Sequence, residues 1–252
     1  MQNIPILMYH NIGKAPPGTR LSSQYTGLGQ FGRQMSVLHA LGYRGLAMRD
    51  LLPYLLQNKA GKVFGITFDD GYKDNFELAL PILKQFAFTA TCFVVSNAIG
   101  QDNFWTKQQG VATKAMMQVE ELRSWLAAGM ELGSHTHNHV HLCQLQSEQA
   151  RWELAISKEH LEGLLQVTIE SFSYPYGEFD PRLAALVQEL GYLSACTTLR
   201  GRVSLPYKGM DSLFTLPRVH MTRRTTLPFF LLKFFSAYED KVSVNMQHKD
   251  AL

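Results

Sequence analysis

The chain is expected to fold as an α/β protein around a mainly parallel sheet, closed or open. Two observations carry this expectation. Short apolar runs suited to buried strands alternate with segments of helical hydrophobic spacing along most of the length. The polar clusters able to do chemistry all stand at the ends of those apolar runs. With 252 residues and no internal repeat, low-complexity tract or long linker, residues 1–252 read as a single domain, with 228–252 as a C-terminal helical tail.

The elements follow in order. Ile4 to His10 is a short strand. Phe31 to Leu41 spaces Phe31, Met35, Leu38 and Leu41 at helical intervals and can end at Gly42. Val63 to Phe68 is a second strand. Phe76 to Phe86 is helical, and Pro81 either bends it or marks its true start. Ala90 to Val95 is a third strand, followed by an irregular loop, Asn97 to Ala115, that contains Trp105. Glu120 to Ala128 is a helix stopped by Gly129, and Met130 to Gly133 is a strand running into His135. Ser147 to Leu165 is the longest helix, with apolar positions at Trp152, Ile156, Leu161 and Leu164. Ser171 to Tyr174 is a strand closed by Pro175-Tyr176-Gly177, and Pro181 to Leu190 is a helix with proline in its first turn. Tyr192 to Thr197 and Leu213 to Val219 complete the strands. Leu227 to Phe235 is the most apolar segment, read as a helix packed on the body or docking to a membrane or partner.

Composition excludes several classes. The chain is 46% hydrophobic and 18% charged, ordinary for a globular protein. A net charge of +3 with scattered basic residues does not make the basic face that nucleic acid requires. No window approaches a membrane span. The N-terminus has no basic segment followed by a long apolar stretch and cleavage site, so a cytoplasmic location is expected, or an extracytoplasmic one if a leader has been removed. Oligomeric state is not legible. The three cysteines imply no disulfide framework. Cys92 and Cys196 lie in apolar runs, and Cys143, just past the histidines, is weighed as a fourth metal ligand against the commoner role of core residue.

Four of the nine histidines fall in the stretch His135-Thr136-His137-Asn138-His139-Val140-His141. About 65 residues upstream stands Thr67-Phe68-Asp69-Asp70-Gly71. Imidazole plus carboxylate is a ligand set that divalent ions such as zinc accept. Adjacent carboxylates repel, and a bound cation relieves the repulsion. One aspartate can then hold the ion while the other accepts a proton from water. A helix N-cap is the alternative for this pair. His135 and His139 face the same way on a helical turn, whereas on a strand all four histidines would form one stripe; both geometries are open. His10 ends the first strand, Tyr176 follows the Ser171 strand, and Arg218 and His220 end the last. In parallel α/β sheets the carboxyl ends of the strands share the edge where ligands bind, so these residues are expected to converge.

Thr67-Phe68-Asp69-Asp70-Gly71, Gly133-Ser134-His135-Thr136-His137-Asn138-His139 and Phe172-Ser173-Tyr174-Pro175-Tyr176-Gly177 resemble three signature motifs of the polysaccharide deacetylases, the NodB-homology or family 4 carbohydrate esterases. Pro5-Ile6-Leu7-Met8-Tyr9-His10 is similar to the start of many members, and the resemblance spans roughly residues 4 to 220. It implies a distorted (β/α)7 barrel that removes acetyl groups from N-acetylated, or sometimes O-acetylated, sugars. It makes Asp69 the general base and Asp70, His135 and His139 the ligands of one divalent ion, usually Zn2+ and sometimes Co2+ or Ni2+. His137 and His141 fall at variable positions. Tyr176 matches the residue whose backbone N–H helps hold the oxyanion.

The chain also departs from the pattern. Many members carry an arginine, paired to the catalytic aspartate, where this chain has Ser173. The Asp-Trp pair of a fourth motif has no clear match. The last strand reads Leu216-Pro217-Arg218-Val219-His220. Such changes occur in a subset similar to the poly-N-acetylglucosamine deacetylases. Arg218 is expected to replace the missing arginine beside Asp69, and His220 and His10 are alternative general acids. The expected function is metal-dependent removal of N-acetyl groups from an N-acetylhexosamine-containing saccharide or polysaccharide precursor. An O-acetyl esterase, a small-molecule amidase and an inactive carbohydrate-binding protein are the alternatives. Peripheral association with a membrane or with polysaccharide-synthesis proteins would suit such an activity.

Overall fold

The computed structural model describes residues 2–17, 19, 21–106, 113–206 and 212–240. In chain order the elements are β1 (Gln2–Ile4), β2 (Ile6–Tyr9), β3 (Asn11–Ile12), β4 (Tyr25–Thr26), α1 (Leu28–Ala40), β5 (Arg44–Leu46), α2 (Met48–Leu55), β6 (Val63–Phe68), α3 (Leu80–Gln85), β7 (Thr91–Val94), α4 (Val119–Ala127), β8 (Glu131–Ser134), α5 (Ser147–Leu165), β9 (Ser171–Ser173), α6 (Pro181–Glu189), β10 (Ser194–Arg200), β11 (Val203–Leu205), β12 (Leu216–His220) and α7 (Leu227–Phe235).

Strands β2, β12, β10, β9, β8, β7 and β6 pair in that order, all parallel, and β6 pairs back onto β2 to close a seven-stranded barrel. This is the expected α/β fold and the (β/α)7 barrel that the resemblance implied. Its distortion has identifiable places. β8 and β9 share one registered pair, Ser134 with Phe172, and the β10–β12 register shifts between Cys196 and Arg200. β5 pairs with β6 over Val63 to Gly65, and β7 takes over at Thr67. Barrel strands are covered on both faces, which is why β2, β6, β7 and β8 are buried along their whole length.

Several local expectations are corrected. The first strand is two, because Pro5 has no N–H to give a ladder. Gln2–Ile4 pairs antiparallel with β11, while Ile6–Tyr9 enters the barrel. β5 and α2 had no counterpart in the sequence reading. β5 is three residues long, and Pro53 inside α2 reads as a helix breaker. The helix begins before Phe76, passes through a π-helical turn, Asn75–Ala79, and runs on into α3, so Pro81 sits where π geometry gives way to α and does not mark the true start. α5 buries Ala150, Glu153, Leu154, Ser157, Leu161 and Leu165, not the Trp152 face; Trp152 is 53% exposed. Periodicity followed the apolar residues, but the inner face takes polar ones because they have partners. Ser157 hydrogen-bonds Ser134 of β8, and Glu153 holds the histidine loop.

The expected C-terminal helix packs on the body. α7 drives Phe230 and Phe234 into the core. Beyond it, the buried Glu239 pairs with Arg200 of β10 and with Lys233. Positions 241–252 of the expected tail lie outside the described residues.

Candidate metal centre and active site

The strands deliver the polar residues to one edge, as parallel pairing requires. His10 follows β2, Asp69 and Asp70 follow β6, His135 follows β8, and Tyr174 and Tyr176 follow β9. All six line one cavity of about 210 Å³, together with His139, Trp105 and Thr198.

Asp70 does not cap a helix. It sits in a tight turn with φ +79°, and Gly71 follows at φ +91°. The histidine segment is neither a helical turn nor a strand. Thr136 and His139 both have positive φ, +62° and +54°, and the His139 N–H donates to Thr136 Oγ1 at 3.0 Å. Tyr176, in the turn Pro175–Gly177, has φ +59°. A Cβ on the next residue, Gly177, would lie 1.9 Å from Thr198 Oγ1, so only glycine lets this turn sit against β10. Left-handed conformations cost non-glycine residues about 1–3 kcal/mol each, and here four gather around one cavity.

Asp70 Oδ1 lies 3.4 Å from His135 Nε2 and 3.3 Å from His139 Nε2. The three ligand atoms fall within 4.8 Å of one another, and all three residues are buried. His135 Nδ1 is 2.7 Å from the Ser173 carbonyl, which can only accept. A neutral His135 therefore has its proton on Nδ1 and turns the bare Nε2 lone pair towards a carboxylate oxygen. That arrangement is repulsive unless a cation lies between them. The separations also fit one: ligands about 2.0–2.1 Å from a tetrahedral ion stand about 3.3 Å apart. Burial lowers the His139 pKa despite the opposing effect of Asp70, favouring the neutral imidazole that metals bind. Burial opposes ionisation of Asp70, but the two imidazoles beside it outweigh burial and hold the carboxyl well below the usual range. The residues present thus fit a divalent ion. Cys143 is exposed and stands outside the cluster.

Asp69 is the second carboxylate. Arg218, fully buried, grips it with both arms, Nη1 to Oδ1 and Nη2 to Oδ2, each at 2.7 Å. Its remaining donors reach the Thr197 carbonyl, Thr67 Oγ1 and Ser173 Oγ at 2.8, 3.1 and 3.2 Å. The guanidinium thus comes from β12 and touches Ser173, the position where the resemblance led an arginine to be expected. Burial would raise the Asp69 pKa, but the Arg218 charge and hydrogen bonds bring it below the ordinary value.

His220 does not join the cavity. Its Nε2 is 2.8 Å from the Thr198 carbonyl. Burial, with Arg218 and Arg200 adding to it, pushes its pKa down to about 3. Its Nε2–H is engaged by a backbone carbonyl and the ring is not among the residues that line the cavity, which favours His10 of the two expected acids. His10 does line the cavity.

Sequence reasoning missed two supports. Buried Glu153 on α5 accepts from the backbone N–H groups of His137 and Asn138 at 3.0 and 2.9 Å and from Asn138 Nδ2 at 2.7 Å. It fastens the loop between the two histidine ligands. The only sequence signal is its spacing three residues after Ala150 and four before Ser157, on the face that also carries Leu154 and Leu161. Trp105 stacks on His139 with ring centroids 4.5 Å apart. His139 Nδ1 is buried and finds no hydrogen-bond partner among the described residues, so stacking steadies this ring. On the outer side, His141 stacks on Tyr176 at 3.7 Å and bonds Glu178 at 3.0 Å.

A buried Asp-His-His cluster beside a second, arginine-braced carboxylate at the mouth of a parallel barrel defines a metal-dependent hydrolase. Comparison with known proteins gives its family. The polysaccharide deacetylase family profile matches residues 57–195, and the chain belongs to that family. YxkH of Bacillus subtilis (strain 168), which bears the polysaccharide deacetylase name, is 32% identical over 221 residues, 87% of this chain and 71% of that protein. A poly-beta-1,6-N-acetyl-D-glucosamine N-deacetylase of Staphylococcus aureus is 25% identical over 172 residues, 64% of this chain and 57% of that enzyme. Among solved structures, the Streptococcus pyogenes deacetylase PplD, determined in complex with acetate, superposes with a TM-score of 0.79 at 26% identity, covering 92% of this chain and 98% of that one. IcaB from Ammonifex degensii, at 22% identity and a TM-score of 0.75 over 88% and 93%, shares the fold. The metal cluster and the family together make the protein a metal-dependent deacetylase acting on an acetylated sugar. No helix among the described residues is long and apolar enough to cross a membrane.

Proposed function

We propose that the protein removes N-acetyl groups from an N-acetylhexosamine-containing saccharide, with Zn2+ as its metal. The observation that carries this reading is the pairing of two unlike carboxylates in one cavity. Asp70 faces two imidazoles, and Asp69 faces a buried arginine. The amide-linked substrate is supported by the N-deacetylase name of the staphylococcal relative. Zinc is supported by the mixed nitrogen and oxygen donors at tetrahedral spacing.

Asp70, His135 and His139 would hold the ion. When bound, it supplies a Lewis acid that polarises the acetyl carbonyl and acidifies water. Asp69 accepts the proton of the attacking water on a carboxylate oxygen. Arg218 keeps that carboxylate ionised and fixed in orientation. Nothing among the described residues accepts from the Tyr176 backbone N–H, which is thereby free to donate to the developing oxyanion. His10 protonates the departing amine, having the cavity position that His220 lacks. Tyr176 and Trp105 wall the cavity.

Acetate release tests the reading. The expected result is acetate from N-acetylglucosamine oligosaccharides that stops with chelator and returns with zinc. Release from acetylated xylan alone would move the assignment to an O-acetyl esterase. No release from any acetylated sugar by metal-loaded protein would remove the enzymatic reading.

A further inference from the structure

Beside the catalytic cavity runs a cleft of about 400 Å³ lined by Ser22, Ser23, Thr222, Arg223 and Arg224. One short 3-10 turn, Ser22–Gln24, separates the two. Gln24 and the preceding Leu21 line the catalytic cavity, while Ser22 and Ser23 line the cleft. Three residues of such a turn rise only about 6 Å, so a saccharide bound in the cavity reaches the cleft without a long spacer. Arg223 also lines an adjoining hollow with Arg33.

The arginines here are unlike the other arginines among the described residues. Arg49, Arg151, Arg182, Arg200, Arg202 and Arg218 each pair with a carboxylate. Arg44 and Arg123 donate side-chain hydrogen bonds. Among the described residues, the guanidinium groups of Arg33, Arg223 and Arg224 do neither, and no carboxylate lines either hollow. Three cations gathered without a counter-ion, next to serine and threonine hydroxyls, form a surface whose partner has to bring the negative charge. Guanidinium forks with hydroxyl donors match an oxygen-rich anion, and the excess of cation over a single charge favours a phosphoryl group over a carboxylate.

We infer that the saccharide substrate carries a phosphoryl group and that Arg223 and Arg224 bind it in this cleft while the acetylated sugar occupies the catalytic cavity. The inference deepens the proposed function and rests on it for the identity of the sugar. The phosphoryl group adds affinity through the arginine cleft and requires no change in the chemistry at Asp69.

Binding and turnover separate the two claims. Metal-loaded Asp69→Asn protein is titrated with chitotriose, with chitotriose 1-phosphate and with inorganic phosphate. The phosphorylated trimer is expected to bind roughly tenfold more tightly than the neutral one at low salt. Inorganic phosphate alone is expected to bind more weakly than the phosphorylated trimer. The preference should shrink as salt rises, and it should vanish in R223Q/R224Q built on the same background. Equal binding of the two trimers overturns the inference, as does a preference that survives R223Q/R224Q. Inorganic phosphate binding as tightly as the phosphorylated trimer overturns it too, because the cleft would then serve free phosphate. Acetate release from neutral chitotriose by the unmutated enzyme reads the proposed function separately, so either claim can fail with the other intact.

Discussion

Replacing Arg218 by lysine probes the link between the barrel and the reactive carboxylate. The charge is kept, but the fork is lost. Arg218 holds both Asp69 oxygens at 2.7 Å and spends its other donors on Thr197, Thr67 and Ser173. A lysine ammonium at this depth can reach one carboxylate oxygen but cannot brace two in parallel. The loss is therefore at least one charge-assisted hydrogen bond, about 1.5–3 kcal/mol, or roughly ten- to hundredfold in kcat/KM. The pH dependence has a defined sign. Arg218 lowers the Asp69 pKa against burial, so weakening it lets that pKa rise. The acidic limb of the kcat/KM profile then moves to higher pH, because more alkaline solution is needed to keep the base ionised. The assay is a pH–rate profile of acetate release, with metal content measured on the same samples. An unchanged acidic limb at full metal occupancy would refute the role given to Arg218.

Three further outcomes are expected. Asp69→Asn keeps an oxygen in place without a basic carboxylate, so metal analysis should show the ion retained while turnover falls by about 10²–10⁴; undiminished turnover would exclude Asp69 as the base. Glu153→Ala strands the His137 and Asn138 N–H groups, so metal affinity should weaken about 10–100-fold in a competition titration, with a stability loss of about 1–3 kcal/mol by denaturant unfolding; unchanged metal affinity would confine Glu153 to folding. His10→Ala should lower turnover by about 10²–10⁴ and His220→Ala should leave it close to that of the unmutated enzyme, since His10 lines the cavity and His220 is bound to the Thr198 carbonyl outside it; the reverse pattern would restore His220 as the acid.

Much of the site was legible because its chemistry is dense in sequence. Asp69 and Asp70 are adjacent, His135 and His139 are four apart, and both pairs end apolar runs that proved to be β6 and β8. The Arg218 pairing was legible from a gap: Ser173 left a buried carboxylate without its usual cation, and one arginine stood at the end of another strand. Glu153 was not legible. It shares α5 with Glu148, Glu159 and Glu162, and nothing in the sequence tells a carboxylate that caps backbone N–H groups from one that faces water. The conformation of the histidine loop was hidden for a related reason. Thr136 and His139 adopt left-handed angles that their residue types disfavour, so neither helical nor strand periodicity could describe them. β5 escaped because three residues are too few to show a period.

The central claim is that Asp70, His135 and His139 jointly hold one divalent ion on which deacetylation depends. Metal stoichiometry of the unmutated protein and of His139→Ala, measured by elemental analysis after dialysis against limiting zinc, tests it most directly. The expected result is one ion per chain in the former and little in the latter, because one of only three protein ligands is gone. Full occupancy in His139→Ala would contradict the account.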